Sequence, residues 1–309
     1  MTTPTTIKTT ARNAPPWVSP LLWLLATASV LSHLTSMLLH LPQATAGAML
    51  AGSLMLFGLF HGASTYGWRG IVFFIVVCLG VSNAFENLSI LTGFPFGWYH
   101  YGDKMGPKLF LVPLLIGPLY FGVGYLSWTL ARAILGDANG RLAGPLVFAT
   151  PILASFIMVC WDLTIDPKMS TITGNWIWRD AGSYFGVPVV NFLGWYLTVY
   201  VFLQAFALYA RRLYATSDQI PCYWAKPLLA YSSIVIAPIL SLALSSASGA
   251  VLDPTGHAWQ LRDIQAVTAL VGIFTVLPFW LLALFSVPRF LAPGMPITER
   301  HRRLGTIDE

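Results

Sequence analysis

The chain has 309 residues, of which 56% are hydrophobic and only 9% are charged. Soluble globular domains carry roughly a quarter charged residues, so this composition excludes an ordinary soluble protein. The net charge of +5 does not indicate a nucleic-acid partner, because no soluble domain is present to carry a basic surface. We therefore expect an all-α fold, a polytopic transmembrane helix bundle.

Uncharged runs recur along the whole chain, and most are long enough to cross about 30 Å of hydrocarbon as a helix of roughly 20 residues. A β-barrel would instead show strands of about ten residues with alternating polarity. The first run is too long for one crossing, and Pro42-Gln43 is interpreted as a turn inside it. The runs predict helices near 17–40, 43–66, 70–91, 109–134, 143–165, 187–210, 227–251 and 264–287.

These eight helices form one predicted transmembrane domain, over 15–291, between a disordered tail at 1–14 and a polar cytoplasmic tail at 292–309. Ala44 to Ala46 resemble a signal-peptide cleavage site, but the preceding apolar run exceeds the roughly 7–15 residues of a signal core, which favours a retained helix. With eight spans, 12 Lys and Arg residues fall on the side of both termini and five on the other. The basic excess marks the cytoplasmic side, so both termini are expected inside a multi-pass protein of the bacterial cell (inner) membrane.

Cofactor and metal motifs are missing from the sequence. Cys78, Cys160 and Cys222 are isolated, which favours packing roles over a disulfide framework or a zinc site. The six histidines lack paired H-x-x-x-H spacing, and no phosphate-binding, nucleophile-elbow or dinucleotide motif occurs. We expect chemistry without a cofactor or metal, or transport.

The predicted topology gathers the polar residues of the helix ends on the non-cytoplasmic side. Glu86 lies near the end of the third helix, Asp162 and Asp166 end the fifth, and Asn191 opens the sixth. The two longest loops, 92–108 and 166–186, reach the same side, and long aromatic loops in a compact membrane protein suggest a functional cap.

Each acidic residue also has a structural interpretation. Glu86 is either solvated at the interface or, because it follows a long uncharged run, placed inside the apolar zone, where ionisable groups usually face a functional cavity. Asp162 and Asp166 share one helix face, so both cannot easily ionise and one is expected to keep a proton. Asp166 precedes Pro167, and such a residue commonly leaves the helix in a turn.

The aromatic residues of the loops also allow two interpretations. Tryptophan and tyrosine form interfacial belts in membrane proteins without binding any ligand. The dense clusters "WYHY" and "NWIW" exceed what an anchor needs, so we expect some of these rings to line a substrate pocket. The candidates are Trp98, Tyr99, His100, Tyr101, Trp176 and Trp178.

Four segments together resemble the membrane carotenoid-biosynthesis hydratase family. They read "ENLSILTGFPFGWYHY" (86–101), "DLTIDP" (162–167), "GNWIW" (174–178) and "YFGVPVVNFLGW" (184–195). Characterised members are similar to carotenoid 1,2-hydratases, including those acting on γ-carotene and on bacterioruberin precursors. The resemblance implies a multi-helix membrane enzyme that adds water to the end of a linear carotenoid, with functional weight on Glu86, Asp162, Asp166 and Asn191.

Within that resemblance the chemistry suggests roles for the side chains. A trisubstituted terminal alkene takes a proton at C2, and water then captures the tertiary cation at C1. We assign the acid to Asp162 and the water-activating base to Glu86, with the reverse assignment left open, and a proton-relay role to Asp166. Asn191 would hydrogen-bond the water or the alcohol, and the faces of Trp98, Tyr99, Trp176 or Trp178 would stabilise the cation by about 2 kcal/mol.

Two other functions remain open from the residues. The D-x-x-x-D spacing of Asp162 and Asp166 resembles part of a magnesium–diphosphate motif of membrane prenyltransferases, but no second acidic motif occurs. Intramembrane carboxylates also serve proton-coupled transporters. For the hydratase the expected partners are a lipid-soluble carotenoid, water, membrane lipids and other carotenoid-pathway enzymes, with no nucleic acid.

Overall fold

The computed structural model describes residues 15–39, 41, 43–137, 141–213, 215, 222–245 and 248–287. The predicted tails at 1–14 and 292–309 lie outside the described residues. The described chain is an all-α bundle of the membrane type, as predicted. Six helical segments in it are long and apolar enough to cross a membrane: Val18–Ser36, Thr45–Thr92, Leu146–Ile172, Val189–Ala210, Ala225–Leu244 and Leu261–Ser286.

The bundle begins with α1 (Val18–Leu38) and the long α2 (Gln43–Thr92), which breaks at Gly67. Gly67 has φ 73° and ψ 165°, a conformation that a side chain would oppose. The two arms of α2 then fold back on each other, since a Cβ added at Gly62 would lie 2.3 Å from Cδ1 of Ile71. The predicted helices 43–66 and 70–91 are these two arms.

The centre of the bundle is α3 (Ile116–Ile134), which follows a small hairpin of β2 (Lys108–Leu109) and β3 (Val112–Pro113). The predicted helix 109–134 was therefore wrong in its first residues, because Phe110 turns the chain with a positive φ of 57°. Of the 19 residues of α3, 15 are buried. Although α3 is largely enclosed by the other helices, it is not among the six apolar spans.

Next come α4 (Leu146–Pro167) and α5 (Val189–Ala210), which pack against each other. The prediction that Pro167 ends the helix after Asp166 is wrong. Pro167 keeps helical angles of φ −58° and ψ −32°, and the chain continues as a π-helical turn, Lys168–Ile172. Proline cannot donate the helical hydrogen bond at this position, and π-turns such as the one that follows are frequent at functional sites.

The last part contains α6 (Ala225–Leu244), α7 (Leu261–Val271) and α8 (Leu277–Ser286), the last two joined by a π-helical turn, Gly272–Val276. The predicted helix 227–251 was wrong at its end, since Leu244 is the last helical residue. The chain then forms a hairpin of β5 (Ala250–Leu252) and β6 (Ala258–Gln260).

A two-stranded antiparallel sheet of β1 (Tyr99–Tyr101) and β4 (Trp176–Trp178) joins the two aromatic loops. Tyr99 pairs with Trp178 and Tyr101 pairs with Trp176. The loops were predicted to cap the bundle together, but nothing in the sequence indicated that they hydrogen-bond as strands. This sheet brings aromatic residues from distant parts of the chain onto the end of α2.

Candidate active site

Glu86 lies near the end of the second arm of α2, buried to 3% exposure, and accepts hydrogen bonds from three tyrosines. The hydroxyls of Tyr99 and Tyr101 both donate to its Oε2, the second at 2.9 Å. The hydroxyl of Tyr120, on α3, donates to Oε1 at 2.8 Å. Two separate elements, β1 and α3, thus place three hydroxyl donors around one buried carboxyl group.

Tyr99 and Tyr101, the two tyrosines of β1, remain protonated. Burial raises the pKa of Tyr99 and of Tyr101 well above the usual value, and the negative charge of Glu86 raises both further. Both phenols are therefore neutral at physiological pH. They stay hydrogen-bond donors to Glu86 and do not compete with it as anions.

The second acidic group consists of Asp162 and Asp166, each 1% exposed on α4. The side-chain nitrogen of Asn191, on α5, donates to Oδ2 of Asp162 at 3.3 Å and to Oδ2 of Asp166. The indole nitrogen of Trp176, on β4, donates to Oδ1 of Asp166 at 2.6 Å. The amide of Asn191 therefore links the two carboxyl groups. Trp176 of β4 fixes the orientation of Asp166.

Tyr184 supports this end of α4 from the loop before α5. Its hydroxyl donates to the backbone oxygen of Leu163 at 2.9 Å. Burial and the charges of Asp162 and Asp166 raise the pKa of Tyr184 to about 12. The Tyr184 hydroxyl therefore keeps its proton and remains a hydrogen-bond donor to α4, the helix that carries Asp162 and Asp166.

The β5–β6 hairpin is ordered by the side chain of Asp253. Oδ1 of Asp253 accepts bonds from the amides of Thr255 and His257 and from the Thr255 hydroxyl, at 2.7–3.1 Å, and Oδ2 accepts one from Trp259 Nε1 at 2.9 Å. Burial favours a higher pKa for Asp253, but these bonds outweigh it and hold the pKa below the usual value. Asp253 therefore holds the turn of this hairpin together.

A cavity of about 780 Å³ reaches both acidic groups. Glu86, Asp166 and Asn191 lie in its wall. Most of the remaining wall is aliphatic or aromatic, including residues from α1, α2, α3 and α6. Its size lies within the roughly 300–1,000 Å³ of small-molecule sites.

The cavity separates the residues predicted from the sequence into two sets. Those that line it are Glu86, Asp166, Asn191, Tyr99, Tyr101, Trp176 and Trp178. Asp162 is absent from the wall and lies behind it, hydrogen-bonded through Asn191.

Trp98 and His100 also lie outside the cavity wall. His100 occupies the outer face of β1, because strand residues alternate between faces and its neighbours Tyr99 and Tyr101 point inward. Trp98 is 37% exposed, and the guanidinium of Arg179 covers its ring at 4.7 Å.

Sequence reasoning missed four aromatic residues of the wall in its site prediction: Phe96, Tyr120, Trp161 and Trp195. Tyr120 binds Glu86, and its ring stacks on Trp195 with centroids 4.5 Å apart and an interplanar angle of 3°. Tyr120 stands in an apolar helix with no acidic neighbour in sequence, so no local signal identified it. Trp195 ends the resembling segment 184–195 but was not among the predicted site residues.

The arrangement suits acid–base chemistry on an apolar molecule. Two acidic groups adjoin one apolar cavity, and the amide of Asn191 holds Asp162 and Asp166 in one hydrogen-bonded unit. Aromatic faces beside them can stabilise a transient cation. Water held between the groups can be both a nucleophile and a proton carrier.

Comparisons with known proteins agree with this chemistry. A family model described as "Carotenoid biosynthesis protein" matches residues 43–254, which contain both acidic groups and the cap. The bisanhydrobacterioruberin hydratase of Haloarcula japonica is 32% identical to the chain over 118 residues. That match spans 38% of this chain and 38% of the relative's length. No solved structure matches the chain.

Proposed function

This chain belongs to the carotenoid biosynthesis protein family, and we propose that it is a cofactor-independent hydratase that adds water across the terminal C1–C2 double bond of a linear carotenoid. The observation that carries the proposal is the largely apolar cavity with Glu86 and Asp166 in its wall. An apolar polyene end fits such a cavity, and the carboxyl groups supply the acid and the base. The partial similarity to a hydratase supports the same reaction class.

The proposal assigns the acid to Asp166, where the sequence alone favoured Asp162. Only a group in contact with the alkene can protonate C2, and Asp166 is the member of the pair in the cavity wall. Asp162 then acts indirectly, because Asn191 donates to both carboxyl groups and holds Asp166 in place. An alkene is a weak base, so a dry and fixed carboxylic acid is required.

Glu86 is the proposed base. Proton transfer to C2 leaves a tertiary cation at C1, and a water molecule forms the new C–O bond there while Glu86 takes its proton. The hydroxyl donors of Tyr99, Tyr101 and Tyr120 fix the carboxylate for this step. The proton returns to Asp166 within the cavity, so the net reaction consumes one alkene and one water.

The aromatic wall stabilises the cation between these two steps. Tyr99, Trp176 and Trp178 line the cavity beside the carboxyl groups. A desolvated cation over such a ring gains about 2 kcal/mol or more. Exclusion of bulk water strengthens this attraction and limits early quenching.

The cellular setting completes the proposal. The carotenoid is taken from the membrane, and the enzyme works in a bacterial cell membrane with both termini in the cytoplasm, next to other enzymes of the same pathway. The cap and the cavity then lie at the non-cytoplasmic rim.

The proposal is tested by expressing the chain in cells that make lycopene or γ-carotene and measuring the pigments by mass spectrometry. We expect a product heavier by one water in the wild type and in His100→Ala, whose side chain lies outside the cavity. Glu86→Gln should accumulate in the membrane without making that product. Absence of the hydrated pigment in the wild type would refute the hydratase.

A further inference from the structure

The indole N–H of Trp178 is a buried donor that the protein itself does not use. Trp178 is 3% exposed, lines the cavity, and its Nε1 has no hydrogen-bond partner among the described residues. The indole of Trp176, two residues earlier, is by contrast bonded to Asp166. Buried polar groups are nearly always paired, so an unpaired donor at a cavity wall calls for an acceptor from the ligand.

The position of Trp178 places its ring next to Tyr99, a tyrosine that holds Glu86 at the cavity wall. Trp178 pairs with Tyr99 across the sheet, with ring centroids 4.9 Å apart, and Tyr99 donates to Glu86. The Cζ3 edge of the indole lies beside Gly97, 3.8 Å from where a Cβ would stand. The N–H is on the opposite edge of the ring and points away from that loop.

The chemistry of Trp178 differs from that of the other unpaired group in the wall. Nε2 of His33, on α1, is also buried without a partner, but histidine can exchange protons. An indole N–H only donates a hydrogen bond, so it cannot act as an acid or base. Its partner must therefore be a hydrogen-bond acceptor, such as an oxygen atom of the ligand.

We infer that Trp178 is a positioning residue whose Nε1–H binds the oxygen of the attacking water and, afterwards, of the tertiary alcohol. This inference rests on the proposed hydratase function. A water molecule has two lone pairs and two hydrogens. One lone pair attacks C1, a hydrogen goes to Glu86, and the second lone pair accepts the indole N–H, which holds the first lone pair towards the cation.

When the indole N–H is removed, we expect the products of the reaction to change. Protonation at C2 by the acid continues, but the cation is captured less often by water. A cation that escapes capture loses a proton from C2 or from a C1 methyl group. It then returns as unhydrated carotenoid that has a shifted double bond or, in heavy water, carries deuterium.

The experiment measures the ratio of alcohol to this rearranged or deuterated unhydrated carotenoid, in membranes supplied with a linear carotenoid in D2O buffer. Loss of one hydrogen bond should lower that ratio about tenfold in Trp178→Phe. Benzothienylalanine at position 178, which keeps the ring shape without an N–H, should give the same decrease. Trp178→His keeps a donor and should recover part of the ratio.

Trp280→Phe is the matched control, because it removes an indole N–H bonded to the Leu228 backbone oxygen, away from the cavity wall. Its ratio should equal that of the wild type. The inference is overturned if the benzothienylalanine variant has the wild-type ratio, or if it accumulates normally and forms neither product. A wild type that forms no alcohol refutes the hydratase function, not the role of Trp178 alone.

Discussion

Trp176 and Asp166 are joined by a 2.6 Å hydrogen bond from the indole nitrogen to Oδ1. The bond ties the cap to the end of α4 and orients the carboxyl group that lines the cavity. Trp176→Phe keeps an aromatic ring but removes the donor, and we expect hydratase turnover to fall about tenfold. Ile177→Val changes the next residue of β4, which is 37% exposed, and should leave turnover unchanged. Equal turnover in both variants would contradict a role for this bond.

Replacing Asp166 by asparagine should lower the rate of alcohol formation more than replacing Asp162 by asparagine. Asp166→Asn removes the acid that contacts the alkene, so the rate of alcohol formation should fall by about 100-fold or more. Asp162→Asn leaves the cavity wall intact and should lower the rate about tenfold, because it weakens the hydrogen bonding by which Asn191 holds Asp166. Alcohol formation per amount of membrane protein measures both. A larger loss in Asp162→Asn would return the acid to that residue.

Tyr120 should tune Glu86 without being essential. Tyr120→Phe keeps the ring that stacks on Trp195 and removes the donor to Oε1 of Glu86. We expect a decrease of about tenfold in kcat, since one of three donors is lost, and little change in KM. Glu86→Gln should lower kcat by about 100-fold or more. If Tyr120→Phe raises KM and leaves kcat unchanged, the hydroxyl binds substrate and does not act on the base.

Asp253 should make the stability of the hairpin depend on pH. Its folded pKa is below the unfolded value of about 3.9, so the ionised group stabilises the fold above that pH. The stabilisation is lost as the pH falls through the folded pKa. Thermal unfolding of the detergent-solubilised protein should show a Tm difference between wild type and Asp253→Asn that is largest near pH 6 and shrinks below about pH 4. A pH-independent difference would contradict this origin.

The expected membrane orientation can be measured with a native thiol. Cys222 is exposed and belongs to the side predicted to be cytoplasmic, whereas Asp180 is exposed on the loop before α5. In intact cells an impermeant maleimide should label Asp180→Cys in a Cys222→Ser background and should not label Cys222 of the wild type. Cys222 should react only after permeabilisation. The opposite labelling pattern would show that the membrane orientation is the reverse of the expected one.

The sequence predicted the helices well because hydrophobic run length is a local property. In a membrane, a run of apolar residues must pair its backbone N–H and C=O groups with each other, and a helix does this whatever its neighbours are. Its errors lie where local rules are overridden. Pro167 was expected to end a helix, but the π-turn of Lys168–Ile172 continues it.

The candidate site was predicted in its composition but not in its geometry. The end positions of Glu86 and Asn191 follow from where the apolar runs stop. Which of Asp162 and Asp166 reaches the cavity does not, because positions four apart on a helix differ by about 40° and 6 Å, and only the packing of the neighbouring helices fixes that difference. The contact of Tyr120 with Glu86 likewise joins separate helices.

By itself, the sequence determined a helical membrane protein with its acidic and aromatic residues at helix ends and in two loops, since hydrophobicity and charge act on each segment separately. Only the tertiary structure decided that the loops pair as β1 and β4, and that alternation along these strands turns Tyr99, Tyr101, Trp176 and Trp178 inward while His100 stays outside. Strand pairing joins residues far apart in the chain, so its register depends on where the whole bundle holds the two loops.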